Sequence, residues 1–128
     1  GELDAQTRTL RYCSAGQGPL LWYHAAENKI DILGADGLPL GIMDDLGAMP
    51  PVEIPLQPND LFVLLTDGFY EWTNPDKEQF GTERADAIIK QYRHEKASII
   101  LDALRRGVEN FANSPQTDDL TAIVIKAS

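Results

Sequence analysis

Two stretches of this 128-residue chain set carboxylates at the end of an apolar run. In "LFVLLTDGFY" (61–70) the run reaches Thr66 and stops at Asp67-Gly68; in "TDDLTAIVIK" (117–126) Asp118 and Asp119 come just before the run. A carboxylate placed just past a buried strand stands at the rim of a sheet, where a rigid element aims it. The glycine after it permits a sharp exit and leaves space for another group near the backbone. Taken singly, Asp-Gly is a common turn dipeptide and an acidic pair is a solvated loop end. Taken together, two adjacent strands bring their terminal carboxylates within reach of each other. Like charges that close resist joint ionisation unless a cation stands between them. Hard divalent ions accept one or two carboxylates and keep several waters. The pattern predicts part of a magnesium or manganese site, made by Asp67 and one of Asp118 or Asp119.

The other reactive side chains offer less. Cys13 is the single cysteine, so no internal disulfide or thiolate zinc cluster can form. It reads as a small buried strand residue, and a reducing, cytoplasmic compartment fits. His24 and His94 have no partner at ligand or base spacing and read as surface residues. Trp22 and Trp72 read as packing residues. The formal net charge is −9, from 20 acids against 11 bases. Nucleic-acid binding needs a basic footprint, and only Arg105-Arg106 are clustered, so that class is set aside. No apolar stretch approaches the ~20 residues of a membrane span.

The elements that must position the carboxylates follow from periodicity and punctuation. Residues 7–14, 20–24 and 29–33 read as a meander of short antiparallel strands, with "AGQGP" (15–19) as a turn between the first two. Residues 52–56 lie in a proline-rich stretch and read as an edge strand. Residues 61–66 are continuously apolar and fit a strand buried on both faces, and residues 120–126 read as a last buried strand. Between them come two helices. One starts at Gly81-Thr82 and presents Ala85, Ile88, Ile89 and Tyr92 on one face; the other carries Ile100, Leu104, Val108 and Phe111, with Ser98 as its cap. This order is α+β, with two adjacent helices on one face of an antiparallel sheet.

The segments "AGQGP…LLW", "GLPLGI", "LQPNDLFVLLTDGFYEWTN", "FGTERA" and "QTDDLTAIVIK" occur in the order found in the SpoIIE-like branch of the metal-dependent (PPM, type 2C) serine/threonine phosphatases. The chain resembles that family from about Leu10 to Lys126. The resemblance implies a partial αββα sandwich and, in a complete domain, two Mn²⁺ or Mg²⁺ ions that activate a water to hydrolyse phosphoserine or phosphothreonine. It implies that Asp67 and Asp118 are metal ligands. Asp119, where relatives often carry Asn, orients its neighbour, with Gly68 beside it. The implied substrate is a phosphorylated STAS-type regulatory protein, an anti-sigma-factor antagonist. An upstream sensor or receiver domain is implied in the parent chain, in bacterial cytoplasm. Relatives carry a histidine in the glycine-rich turn where this chain has Gln17.

The family's N-terminal metal-binding Asp and its Asp-Gly-His-Gly type segment have no counterpart here. Residues 1–128 therefore read as the C-terminal part of a single phosphatase domain whose N-terminal half is absent. Such a piece is expected to be inactive alone and to dimerise through an exposed sheet edge. The rival reading is a pseudo-phosphatase or regulatory interaction module without catalysis.

Overall fold

The computed structural model describes residues 1–42, 44, 49–116 and 118–128. Met43, at the end of the Gly- and Pro-punctuated stretch 34–43, and Thr117 of the "QTDDLTA" motif lie outside the described residues. The elements in chain order are β1 (Glu2–Asp4), β2 (Thr9–Tyr12), β3 (Leu20–His24), β4 (Lys29–Leu33), β5 (Val52–Pro55), β6 (Leu61–Leu65), α1 (Asp67–Glu71), α2 (Gly81–Tyr92), α3 (Ala97–Ala112) and β7 (Ala122–Lys126).

Two antiparallel sheets result. One has the order β4-β3-β6-β7 and the other the order β1-β2-β5. Strand β6 is the pivot. Leu61, Val63 and Leu65 face the helices, where they meet Leu21, Tyr23, Phe69, Ile89, Ile100, Leu104 and Val108. Phe62 faces the other way and packs with Leu10, Tyr12, Leu20, Ile54 and Leu56 of the smaller sheet. A five-residue strand with alternate side chains in two separate cores must be internal, which is why its composition is apolar throughout. The helices lie on one face of the larger sheet, as an α+β order requires.

Several expectations need correction in detail. The first strand is a hairpin, β1 with β2, closed by a turn at residues 5–8. Cys13 is exposed, not buried. It lies one step beyond Tyr12 in the alternation that turns Leu10, Tyr12 and Ser14 inward, so its side chain points out. Ser98 does not cap α3. The helix begins two residues earlier than a Ser98 cap would set it, with Lys96 as N-cap and the Ile99 and Ile100 amides donating to its carbonyl. Residues 67–71 form a helical turn where only a loop turn was expected. His24 is not an unpartnered surface residue. Its Nε2 lies 2.9 Å from Asp31 Oδ2 across the β3–β4 pair, with the Trp22 ring centroid 4.1 Å away at a tilt of 37°. Lys29, 2.6 Å from the same carboxylate, is the first cause holding Asp31 below the usual carboxylate range, with His24 second.

Asp60 anchors the start of β6. It is 2% exposed, and its two oxygens accept from the amides of Ala25 (2.8 Å) and Gln57 (3.0 Å). Its own carbonyl accepts from Ala127, so one residue ties the ends of β3, β6 and β7. Lys126, at the same end of the sheet, ties it to the helices: its ammonium donates to the carbonyls of Arg93 and Glu95 at the α2–α3 turn.

Asp60→Ala strips acceptors from two part-buried amides and should cost about 2 kcal/mol in urea unfolding, with Asp60→Asn losing less because one acceptor oxygen is kept.

Candidate functional site

The rim opposite Asp60 is assembled by the β6–β7 pair. Leu65 lies across from Ala122, and the pairing continues one step further, with the Thr66 amide donating to Thr121 O at 3.0 Å. The Thr66 hydroxyl then closes the end of the ladder. It donates to Asp119 O (3.1 Å) and accepts from the Thr121 amide (3.0 Å). On the other side of Asp67, Gly68 is buried against the same carbonyl. A Cβ built on it would lie 2.4 Å from Asp119 O, a distance no side chain tolerates. Asp67 is therefore flanked by two residues that both touch Asp119. The structure brings Asp67, Gly68, Asp118 and Asp119 to one rim of the larger sheet.

The three carboxylates are exposed. One oxygen of Asp67 accepts from the Gly68 amide (3.0 Å), and one oxygen of Asp118 accepts from the Asp119 amide (2.7 Å). Each bond fixes the rotamer, and among the described residues the second oxygen has no hydrogen-bond partner. Among the described residues no Lys or Arg pairs with any of the three. Unpaired, oxygen-only donors of this kind match the ligand preference of hard divalent ions. Among the described residues no cluster of three or more His, Cys, Asp or Glu is arranged to hold a metal. The residues at the rim thus fit part of a ligand set: Asp67 and Asp118 as donors, with Asp119 fixing its neighbour through its amide.

A third segment reaches this rim, the turn between β2 and β3. Gln17 Nε2 donates to Leu65 O at 2.9 Å, and the Tyr70 hydroxyl donates to Pro19 O at 3.0 Å. Burial pushes the Tyr70 phenol well above its usual range, so it remains a donor. Within the turn, buried Ser14 donates through its hydroxyl to Gln17 O, while Asp36 and Gly37 donate their amides to Ser14 O. Gly16 has φ +82, and a Cβ there would meet Pro39 Cγ at 2.5 Å. The roles of Thr66 and Gln17 in joining the segments were not legible from motif spacing. The one signal for Thr66 is that a hydroxyl residue ends an otherwise apolar strand.

The architecture is that of PP2C-type phosphatase domains. The SiaA-PP2C domain of Pseudomonas aeruginosa is similar at TM-score 0.80 and 21% identity over 96% of this chain and 48% of that one. The SpoIIE phosphatase domain of Bacillus subtilis, presoaked in Mn, is similar at TM-score 0.73 and 17% identity over 98% and 54%. The RsbU and RsbW domains of a Mycobacterium tuberculosis protein are similar at TM-score 0.66 and 22% identity over 98% and 34%. The chain thus spans about half the length, or less, of these solved chains. No curated protein matches it. The profile of the family Stage II sporulation protein E (SpoIIE) matches residues 1–128, and the chain belongs to that family.

Gly68→Ala should drive the Asp119 backbone away from α1 and cost about 1–3 kcal/mol, as overpacking does. In amide NMR spectra the shifts of residues 66–68 and 118–121 should move while those of α3 hold.

Proposed function

We propose that this chain supplies the C-terminal half of a metal-dependent phosphatase domain that hydrolyses phosphoserine or phosphothreonine on a regulatory protein. The observation that carries the reading is the joining of Asp67 and the Asp118-Asp119 segment at one rim through the Asp119 carbonyl. Family membership and the phosphatase fold support it. Asp67 and Asp118 would hold Mn²⁺ or Mg²⁺, together with ligands from the other half of the domain. When bound, such ions generate the nucleophile and neutralise charge on the phosphoryl group.

This chain's own residues do the positioning. The Gly68 and Asp119 amides fix one oxygen each of Asp67 and Asp118, Thr66 locks the two segments together, and Gly68 keeps them close. No general base is assigned. His24, the histidine with a carboxylate partner, sits at the end of β3 that meets Asp60, at the opposite end of the sheet from Asp67.

The substrate reading, a phosphorylated STAS-type regulator of the anti-sigma-factor antagonist kind, rests on family resemblance and on the RsbU and RsbW domains in a structural relative. A sensor or receiver domain upstream belongs to the same reading. No helix among the described residues is long and apolar enough to cross a membrane.

Exposed apolar groups at the sheets favour association of the isolated chain. Ile32 on edge strand β4 is 57% exposed, Ile123 on edge strand β7 52% and Leu3 on edge strand β1 48%. A cavity of about 290 Å³ between the sheets is lined by Leu3, Leu10, Leu64, Ile123 and Ile125 among others. Unpaired edges beside such surface recruit other chains.

The 128 residues alone should show no manganese-dependent hydrolysis of p-nitrophenyl phosphate above buffer. In the complete domain turnover should appear, and Asp67→Asn should lower it on the order of 100-fold or more. A complete domain that takes up no manganese in calorimetry would instead favour the non-catalytic interaction module. Sedimentation of the isolated chain should give a dimer; a strict monomer at millimolar concentration would remove the edge-pairing proposal.

A further inference from the structure

We infer that Gln17 is a positioning residue for Asp67: its carboxamide holds the last peptide of β6, from which the Asp67 carboxylate is aimed. The inference rests on the metal-site reading above and adds a residue to it.

The sheet register sets which groups face one another at the end of β6. Leu20 lies opposite Leu64, so one further step sets Pro19 opposite Leu65. In an antiparallel pair, successive residues turn their amide and carbonyl to alternate neighbours. Thr66 turns its amide to β7, where it bonds Thr121, so Leu65 turns toward β3. The residue it meets there is Pro19, which has no N–H to give. The final carbonyl of β6 would be left without its ladder donor, two residues before Asp67. Gln17 Nε2, at 2.9 Å, supplies that donor from a side chain.

The bond is not a loose surface contact, because the turn that carries Gln17 is held from three directions. Ser14, 3% exposed, donates to the Gln17 carbonyl, and its own amide donates to Asp36 Oδ2 at 3.0 Å. Pro39 packs beneath Gly16 so closely that no side chain fits between them. Tyr70 ties α1 to the same turn through Pro19 O. The chain is therefore fixed on both sides of Asp67, at Leu65 by Gln17 and at Tyr70 by Pro19. Loss of the Gln17 donor frees one of these two ties and leaves the core contacts of β6 in place.

The test uses the isotope-labelled 128-residue chain and Mn²⁺ alone, read by paramagnetic broadening of the Asp67, Gly68 and Asp119 amides. Gln17→Met, which keeps length and loses the donor, should raise the broadening midpoint about tenfold, with the melting temperature moved by only a few degrees. Gln17→Asn, too short to reach, should behave the same way. Gln17→His, which keeps a ring N–H of similar reach, should restore most of the affinity. Before metal is added, the Asp67 Cβ and Leu65 carbonyl shifts should move in the Met and Asn variants and stay in place for Glu53→Gln, a control on β5.

An unchanged midpoint and unchanged Asp67 shifts in both loss variants would overturn the inference, even where Asp67→Asn abolishes broadening and so upholds the metal reading. If the natural chain shows no broadening at the rim, this half alone does not hold the ion, and the metal reading is decided by manganese uptake in the complete domain. The metal-free shifts then decide Gln17: movement at Asp67 keeps the positioning role, and none removes it.

Discussion

The burial of β6 on both faces is the constraint from which the rest of the structure follows. Leu61, Phe62, Val63 and Leu65 are each at most 1% exposed. Their side chains alternate between a helix-covered core and a sheet-covered core, so the strand can neither slide by one residue nor rotate without exposing an entire set. A strand held this firmly delivers its ends to fixed places. At one end stands Asp60, buried and fully engaged by backbone amides; at the other stands Asp67, exposed, with one oxygen unpartnered among the described residues. The same residue type serves anchorage at one end and a candidate ligand at the other, because only one end is closed over by neighbouring backbone.

The rim itself is joined by neutral groups. Thr66, Gly68, Gln17 and Tyr70 connect four segments through hydroxyl, amide and carbonyl contacts, with no basic side chain among them. A lysine or arginine at these positions would pair with the carboxylates and compete with a cation. Positive charge is engaged by other partners, even where Arg105 lines a pocket with Leu120 and Thr121. Arg105 is engaged by Asp102 and Glu109 on the surface of α3, and Lys126 is engaged by carbonyls at the α2–α3 turn. Asp67, Asp118 and Asp119 thus stand at the rim without a Lys or Arg partner among the described residues, in a chain of net charge −9.

The two sheets differ in how fully they are covered. The larger has helices on one face and β2 and β5 on the other, and its core runs without interruption from Leu21 to Ala112. The smaller has three short strands, with β1 exposed at every residue. Belonging to the SpoIIE family while spanning about half the length of the solved phosphatase domains is consistent with this asymmetry. The well-packed part is the one that carries β6 and the helices; β7, at the sheet edge, and the rim are only partly covered.

Elements whose pattern is local could be read from the chain alone. The apolar run at 61–65 and the faces of α2 and α3 were legible because period and composition depend on near neighbours. The carboxylates beside the apolar runs were legible for the same reason, as was the ordered motif series that resembles the phosphatases. Tertiary structure alone decided the outward turn of Cys13, the pairing of His24 with Asp31, the burial of Asp60, the one-turn helix at Asp67 and the reach of Gln17 to Leu65. Each of these depends on which strand lies beside which, and in what register. A single hydrogen bond between residues 48 positions apart leaves no periodic trace in the chain, so it exists only once the sheet has closed.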